Sequence, residues 1–297
     1  MKWAHSHAQI PTAAGVKDGR IRILFSSRDA QNRSFIARLD LNAEALSEVL
    51  NVQEEPLLPL GSLGAFDDCG MMPSSVVEHN GLHYLYYIGW NVRNTVPYHN
   101  SVGLAISEDG GETYRRLYEG PIMDRTASEP YFCATTCVRI ENGIWRNWYL
   151  SCTEWRKIGD TMEPRYHLKY AESNDGVNWR RHGQIAIDYA NDMEGGIVRA
   201  TVRKEREGYR MWYCYRSIEH YREDPARSYR IGYAESADGL KWRRLDHMAG
   251  IDVSTSGWDA SMLAYPELVE VNGKNYLFYN GNGFGESGFG YAEECIE

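Results

Sequence analysis

A fivefold repeat constrains the fold of this chain more than any other feature of its sequence. Each copy begins with one titratable residue and continues through a short apolar run and a turn into a strand rich in aromatic residues. These first residues, here called the openers, are His5, Asp67, Glu129, Glu194 and Asp259, and they lie 62, 62, 65 and 65 residues apart. Spacing this regular is typical of a fold built from one repeated supersecondary unit.

Turn signals divide each copy into short antiparallel strands. An Asn-Gly pair between alternating segments favours a two-residue hairpin. The Asn-Gly pairs are Asn80-Gly81, Asn142-Gly143 and Asn272-Gly273. A second set of tight turns is predicted where Asp starts the turn and Gly takes the left-handed position. These Asp-Gly pairs are Asp109-Gly110, Asp175-Gly176 and Asp238-Gly239, and we interpret them as structural turns on the outside of the fold, without a catalytic role.

Four strands in each of five copies, without a long helix, predict an all-β fold. The predicted architecture is a five-bladed β-propeller with four-stranded antiparallel blades. The 9 Trp, 21 Tyr and 7 Phe residues supply a large core and favour strands. Because no linker or low-complexity run divides the chain, we expect residues 1–297 to form a single domain.

Composition excludes several classes of partner. The net charge of −9 provides no basic face for nucleic acid or an anionic membrane. The start, Met1–His7, has no apolar signal core, and no apolar run approaches the ~18 residues of a membrane span, so we predict a cytoplasmic protein. The six cysteines are scattered, which favours reduced thiols. No cofactor and no metal is predicted.

The openers are the candidate site residues. In a propeller the first strand of each blade lines the central channel, so a residue just before that strand is expected at the mouth of a shared funnel. Four carboxylates in one cavity repel each other unless a cation, a sugar or a shared proton compensates the charge. Paired carboxylates suit glycosyl transfer, because one donates a proton and the other activates the acceptor. The structural alternative is that the acids cap strand ends or pair with Arg199, Arg203 or Arg28.

Other polar and aromatic residues near the openers are candidates for binding the substrate. His5 and His7 could hydrogen-bond sugar hydroxyls or phosphate, and a metal held by them with Asp67 or Asp68 is the alternative. Arg199 could bind an anion or form an ion pair between blades. Aromatic rings could stack on a sugar or simply pack in the core. The predicted substrate-binding residues are His5, His7, Asp68, Tyr131, Trp155 and Arg199, with Trp90 as a further stacking candidate.

Two segments carry a family resemblance. The Asn-Gly-x-x-Tyr-x-Tyr-Tyr run from Asn80 to Tyr87, followed by the Gly-x-Ala-x-Ser-x-Asp-Gly run from Gly103, resembles the blades of the five-bladed glycosidase superfamily. That superfamily includes glycoside hydrolase families 43, 32, 68 and 130. The resemblance implies a carbohydrate site in a funnel on the propeller axis. It also implies three carboxylates at strand starts, acting as base or nucleophile, acid, and a helper that tunes the acid.

Carried over by position, the resemblance matches some openers and departs at others. Asp67, Glu129 and Glu194 hold equivalent places in successive blades, and Asp259 in another. The first copy has His5 where the superfamily has Asp. The strand start in the second copy reads Met72-Pro73 where Asp-Pro is expected.

We therefore predict a carbohydrate-active enzyme that cleaves or transfers a glycosyl group, with inversion favoured over retention. Glu129 is predicted as general acid and Asp67 as base or as partner of a phosphate. Glu194 and Asp259 are predicted catalytic-site carboxylates that position sugar hydroxyls. The alternatives are a phosphate-dependent phosphorylase like those of family 130, a non-catalytic carbohydrate-binding propeller, and a metal-dependent enzyme.

Overall fold

The structure is a computed structural model that describes residues 1–295. Its strands fall into five successive antiparallel groups, here called strand groups one to five. Group one contains β1 (Ser6–Lys17), β2 (Arg20–Arg28), β3 (Ser34–Asn42) and β4 (Ala45–Val52). Group two contains β5 (Gly70–His79), β6 (Leu82–Val92), β7 (Tyr98–Ser107) and β8 (Arg115–Arg116). Group three contains β9 (Cys133–Glu141), β10 (Ile144–Ile158), β11 (Thr161–Ser173) and β12 (Arg180–Ile187).

The last two groups are shorter. Group four contains β13 (Glu194–Glu205), β14 (Gly208–Ser217), β15 (Arg230–Ser236) and β16 (Arg243–Arg244). Group five contains β17 (Ala264–Val271), β18 (Lys274–Asn280) and β19 (Phe289–Glu293). Within residues 1–295, helices are confined to the 3₁₀ turns Pro225–Arg227 and Asp246–Met248 and the four-residue helix α1 (Asn282–Gly285). No helix in this range has the length and apolar character needed to cross a membrane.

The strand groups are joined into three sheets. One parallel bridge, Ser34 to Gly70, links groups one and two, and a second, Tyr166 to Gly196, links groups three and four. Group five forms a separate three-stranded sheet. The all-β prediction is confirmed, and four strands are found in each of the first four groups. A closed ring of five blades stays a prediction, because no sheet closes on itself in the described part of the chain.

The first strands of the five groups meet in the middle of the molecule. β1 contacts β5, β5 contacts β9, β9 contacts β13, β13 contacts β17, and β17 contacts β1. The amide side chain of Asn280 joins the last group to the first, since its Oδ1 accepts from the Ile10 N–H (2.7 Å) and its Nδ2 donates to the Ala8 carbonyl (2.6 Å). The first strands therefore follow one another in cyclic order around a common centre.

The Asn-Gly hairpins form as predicted. Asn80 and Gly81 have φ of 51° and 76°, and Asn142 and Gly143 have φ of 52° and 80°. Two successive positive φ values define a type I′ turn, whose twist matches that of the flanking strands. The predicted turns are confirmed, and they fix the register of β5 with β6 and of β9 with β10.

The Asp-Gly turns are also confirmed, and they pack between neighbouring groups. The Asp175 carboxylate accepts backbone N–H groups from Val177 and Asn178, each at 2.8 Å. The Tyr86 hydroxyl of group two donates to the Gly176 carbonyl of group three at 2.7 Å. The Trp148 indole donates in the same way to the Gly239 carbonyl of group four at 2.9 Å. These turns therefore stabilise the packing of one group on the next.

Candidate functional site

The four acidic openers are buried inside their own strand groups. Asp67 is 0% exposed and Glu129 5% exposed. The hydroxyl of Tyr87 donates to Asp67 Oδ2 (3.2 Å), and that of Tyr149 donates to Glu129 Oε1 (2.9 Å). Each tyrosine belongs to the second strand of the same group as its acid. Burial beside these carboxylates raises the pKa of Tyr87 and of Tyr149, so both hydroxyls stay protonated and donate.

Asp259 and Glu194 are also buried, and each accepts a hydrogen bond from a nearby donor. Asp259 is 6% exposed and accepts from the Tyr279 hydroxyl at 2.9 Å. Glu194 is also 6% exposed and accepts from the Ala190 N–H at 2.7 Å. All four acids therefore have a hydrogen-bond donor within their own part of the fold.

Three of these acids also pair with an arginine of the fourth strand in their group. The ion pairs are Arg116–Asp67 at 2.8 Å, Arg181–Glu129 at 3.5 Å and Arg244–Glu194 at 2.7 Å. Burial lowers the pKa of Arg116 and of Arg244, but the hydrogen bonds that these guanidinium groups donate to Asp67 and Glu194 outweigh it, so both pKa values are raised. Structural ion pairing was foreseen for the acids, but with Arg199, Arg203 or Arg28. The structure instead pairs three of the four acids with other arginines, each in the same group as its acid.

The first strands of all five groups enclose a pocket of about 430 Å³, here called the central pocket. Each group contributes at least one residue of its first strand. These residues are Ile10, Met72, Ala134, Val198 and Tyr265. The volume lies in the range of about 300–1,000 Å³ that is typical of small-molecule sites.

Aromatic rings and neutral polar groups dominate the lining. The rings are Trp90, Tyr98, Phe132, Tyr166, Tyr221, Tyr229, Tyr265 and Phe284. The polar side chains are Gln9, Arg28, Asn32, Ser34, Asn100, Thr135 and Arg222. Among the described residues, no Asp or Glu lines the central pocket, so the structure does not bring the four acidic openers together there.

The tyrosines of the pocket surround a buried cation. The guanidinium of Arg216 lies 3.8 Å from the ring centroid of Tyr221, and its Nε donates to the hydroxyls of Tyr166 (3.2 Å) and Tyr229 (3.3 Å). Burial raises the pKa of Tyr229 and of Tyr98, so their hydroxyls are neutral at pH 7. The wall that they form offers hydrogen-bond donors to a ligand without adding negative charge.

Arg199 is at the centre of the molecule but does not line the pocket. It is 1% exposed, and its guanidinium donates to Glu267 Oε2 (2.9 Å), to the Pro11 carbonyl (3.1 Å) and to the Ser74 carbonyl. Its backbone N–H donates to Thr135 Oγ1 at 3.1 Å. Arg199 thus links the first strands of all five groups. Of the two roles expected for Arg199, this fits the ion pair between blades and not the binding of an anion in the pocket.

The predicted histidines lie next to Arg28, outside the pocket lining. His5 is exposed, and its backbone N–H donates to the Arg28 carbonyl at 2.7 Å. His7 Nδ1 lies 2.9 Å from Ser6 Oγ. Burial and the charge of Arg28 lower the pKa of His7, so it is neutral at pH 7. Within residues 1–295, no three His, Cys, Asp or Glu side chains are arranged to hold a metal ion.

The remaining predicted binding residues also lie outside the pocket lining. Asp68 Oδ2 accepts from the Gly64 N–H at 2.9 Å, and Tyr131 is 37% exposed. Trp155 packs on two rings that do line the pocket, with centroid distances of 5.3 Å to Tyr98 and 5.7 Å to Phe132. Trp155 therefore stabilises two rings of the lining without lining the pocket itself.

A signal for the pocket was present in the repeat, but it lies within the first strands and not at the openers. Ile10, Met72 and Ala134 each come five residues after an opener, and all three line the pocket. Trp90, named from sequence as a stacking candidate, also lines it. Polar residues from loops and later strands, such as Asn32 and Asn100, had no repeat signal that could have identified them.

Solved glycoside hydrolases share this fold at low sequence identity. A thermostable family-43 glycoside hydrolase has a TM-score of 0.72 at 15% identity, with 98% of this chain and 91% of that chain covered. A structure of family 130, described as mannoside phosphorylases that contain hydrolases of β-1,2-mannosidic linkages, has a TM-score of 0.69 at 16% identity and coverages of 98% and 85%. A family 32 β-fructofuranosidase of Bombyx mori has a TM-score of 0.65 at 14% identity and coverages of 99% and 62%.

Two sequence relatives cover nearly the whole chain. No protein-family model matches it. The uncharacterized proteins MT1551 and Rv1502, from two strains of Mycobacterium tuberculosis, are each 36% identical over 292 residues, which is 98% of this chain and 94% of theirs. The chain therefore belongs to the family of these mycobacterial proteins, and it has the fold of the glycoside hydrolases of families 43, 32 and 130.

Proposed function

We propose that this protein is a carbohydrate-active, glycoside-hydrolase-like protein: a five-bladed β-propeller that binds a carbohydrate in the central pocket. The cyclic contacts of the five first strands support the five-bladed ring. The glycoside hydrolases and phosphorylases among the structural neighbours support a carbohydrate as ligand. All six cysteines are free thiols, which supports the reducing, cytoplasmic location expected from the sequence.

The observation that carries this proposal is the residue composition of the pocket lining. A sugar ring has apolar C–H faces and hydroxyls at its edge, so it needs aromatic surfaces together with neutral hydrogen-bonding groups. The central pocket combines both. Its Asn100 side chain makes no hydrogen bond to other described residues and is therefore available to a sugar hydroxyl.

The proposed reaction is glycosyl cleavage or transfer with Glu129 as general acid and Asp67 as base. A glycosidase needs these carboxyl groups about 5–10 Å apart, on either side of the bond that breaks. Because both acids are held in ion pairs outside the lining, this assignment requires the substrate to reach beyond the central pocket. The contribution of each acid is therefore a question for kinetics.

A non-catalytic carbohydrate-binding propeller, or a phosphate-dependent phosphorylase, is the second candidate. The specific observation that favours it is a lining without Asp or Glu but with Arg28, a cation that forms no ion pair among the described residues. A phosphorylase uses one carboxylic acid with a bound phosphate, and a binding protein needs no acid at all.

The experiment measures binding and turnover of a panel of sugars and aryl glycosides, with and without phosphate. It compares the parent protein with variants of the pocket residue Asn100 and of the two proposed catalytic acids, Glu129 and Asp67. Asn100→Ala should weaken sugar binding about tenfold, since a hydrogen bond to a ligand is lost. Asn51→Ala, at an exposed strand position, is the matched control and should bind normally. If Glu129 and Asp67 are acid and base, Glu129→Gln and Asp67→Asn should each lower kcat at least ~100-fold with little change in affinity.

The outcomes separate the glycosidase, the phosphorylase and the binding protein. Turnover that depends on both acids supports the glycosidase, and turnover only with phosphate supports the phosphorylase. Binding without turnover of any compound supports the binding protein. Failure of every carbohydrate to bind, or binding that Asn100→Ala leaves unchanged, would overturn the proposal.

A further inference from the structure

Arg28 is placed to meet a ligand in the central pocket. It is the last residue of β2, is half-buried, and lines the pocket. Its Nε donates to the Gln9 amide oxygen at 3.1 Å and one terminal nitrogen donates to the Asn32 amide oxygen at 3.4 Å. Both acceptors are neutral. Two of the five N–H groups of a guanidinium are thereby used, which leaves three for a ligand.

No carboxylate compensates this charge among the described residues. Asp29, the next residue along the chain, is held by Arg33 at 2.7 Å. Arg222, the other cation of the lining, is paired with Glu163 at 2.5 Å. Arg28 is therefore the one cation lining the pocket without an ion pair in residues 1–295.

The rest of the molecule shows how unusual this is. Elsewhere, the half-buried Arg116 has the carboxylate of Asp67, and the buried Arg216 lies among aromatic rings that include Tyr221. Removing a guanidinium from water without a counter-charge costs free energy. Burial lowers the pKa of Arg28, and only Tyr265 opposes the shift. An anion entering the pocket would offset this cost.

We propose, resting on the proposed function, that the carbohydrate bound in the central pocket carries an anionic group, a carboxylate or a phosphate, and that Arg28 binds that group. The guanidinium offers parallel N–H donors that match two oxygens of either anion. Asn32 and Gln9 keep the guanidinium oriented, as positioning residues. The aromatic rings of the lining bind the sugar ring.

Paired neutral and anionic sugars test this by calorimetry on the full-length chain. Glucose, galactose and mannose are each compared with the corresponding uronic acid and 6-phosphate, and inorganic phosphate is titrated alone and before each neutral sugar. At least one anionic member should bind about tenfold or more tightly than its neutral counterpart. A preference for uronic acids identifies a carboxylate, and a preference for 6-phosphates identifies a phosphate ester. Tighter binding of neutral sugars only after inorganic phosphate would show that Arg28 binds a free phosphate, and it would overturn the assignment of the anionic group to the sugar.

Two variants assign the preference to Arg28. Arg28→Gln should abolish the difference between anionic and neutral sugars, because it removes the charge that binds the anionic group. Arg20→Gln, an exposed position on the same strand, changes the net charge equally and should keep the difference. The urea midpoint of Arg28→Gln should equal or exceed that of the parent, because the substitution removes an uncompensated, half-buried charge.

Failure of this inference differs from failure of the proposed function. Neutral and anionic sugars that bind equally, or a preference that survives in Arg28→Gln, would overturn the role of Arg28 but leave a carbohydrate site. Absence of binding by every sugar tested would overturn both.

Discussion

At the scale of single residues, an acid in a regular repeat has two very different uses. Four carboxylates at equivalent positions suggest convergence on one site, yet each lies within its own group. The Asp67 carboxylate, for example, is bound by Tyr87 of the second strand and Arg116 of the fourth. An acid that joins strands of its own group recurs from group to group, so regular recurrence also fits a structural role.

Glu194 provides a test of the structural role. Glu194→Gln removes one charge of a buried pair and should lower the free energy of unfolding by about 3 kcal/mol, because Asp246 is then the one carboxylate paired with Arg244 among the described residues. Glu207→Gln, at an exposed position without partners among the described residues, is the control and should change stability by less than about 0.5 kcal/mol. Urea denaturation measures both. Unchanged stability with lost turnover would instead make Glu194 a functional residue.

At the scale of elements, the turns were the most predictable part of the chain. An Asn-Gly pair fixes its own conformation, since both residues accept positive φ at small cost. The partners of an opener could not be predicted in this way. Tyr87 and Arg116 are distant from Asp67 in sequence, and only the stacking of strands brings them to it. The pocket is a similar case, because Asn32 reaches it from the loop between β2 and β3, and Asn100 reaches it from β7 of another group.

Two turn glycines separate backbone conformation from packing. Gly176 and Gly143 both have positive φ, of 73° and 80°. A Cβ at Gly176 would lie 2.7 Å from the Tyr86 hydroxyl and from the Trp145 ring, whereas one at Gly143 would meet nothing within 4 Å. Gly143→Ala should therefore cost about 1 kcal/mol of stability from strain alone.

Gly176→Ala adds a clash between neighbouring groups, and we expect it to cost about 2 kcal/mol more than Gly143→Ala. Equilibrium unfolding in urea measures both variants. Equal losses would mean that the Asp-Gly turn contributes nothing to the packing of group three on group two.

At the scale of the whole molecule, one ion pair connects the first strands at the centre. Arg199 reaches β1 and β5 through the carbonyls of Pro11 and Ser74 and β17 through Glu267. Burial raises the pKa of Glu267, and the charge of Arg199 opposes that shift. Arg199 and the Ala13 N–H thus both favour the charged form of this carboxylate.

Arg199→Met should destabilise the fold, and the loss should depend on pH. The Glu267 pKa in the folded variant should rise further above the value of ~4.3 for an unfolded chain. Its folded state then binds a proton that the unfolded state releases, so the variant loses stability as pH rises from 5 to 8. The loss at pH 8 should be about 3–5 kcal/mol and smaller at pH 5. Combining the change with Glu267→Gln should remove the pH dependence, and a loss that is the same at both pH values would contradict this.

The hydrogen bonds of Asn280, which connect the last strand group to the first, imply an order of events during folding. Hairpins pair residues close in sequence and can form early, because short loops close at small entropic cost. The bonds of Asn280 to Ile10 and Ala8 span 270 and 272 positions, and they require the intervening groups to be in place. During refolding, we expect the Ile10 amide to become protected from hydrogen exchange after the hairpin amides, and simultaneous protection would contradict this. The native state is thus completed only when the first and last strand groups, the most distant segments of the chain, come into contact.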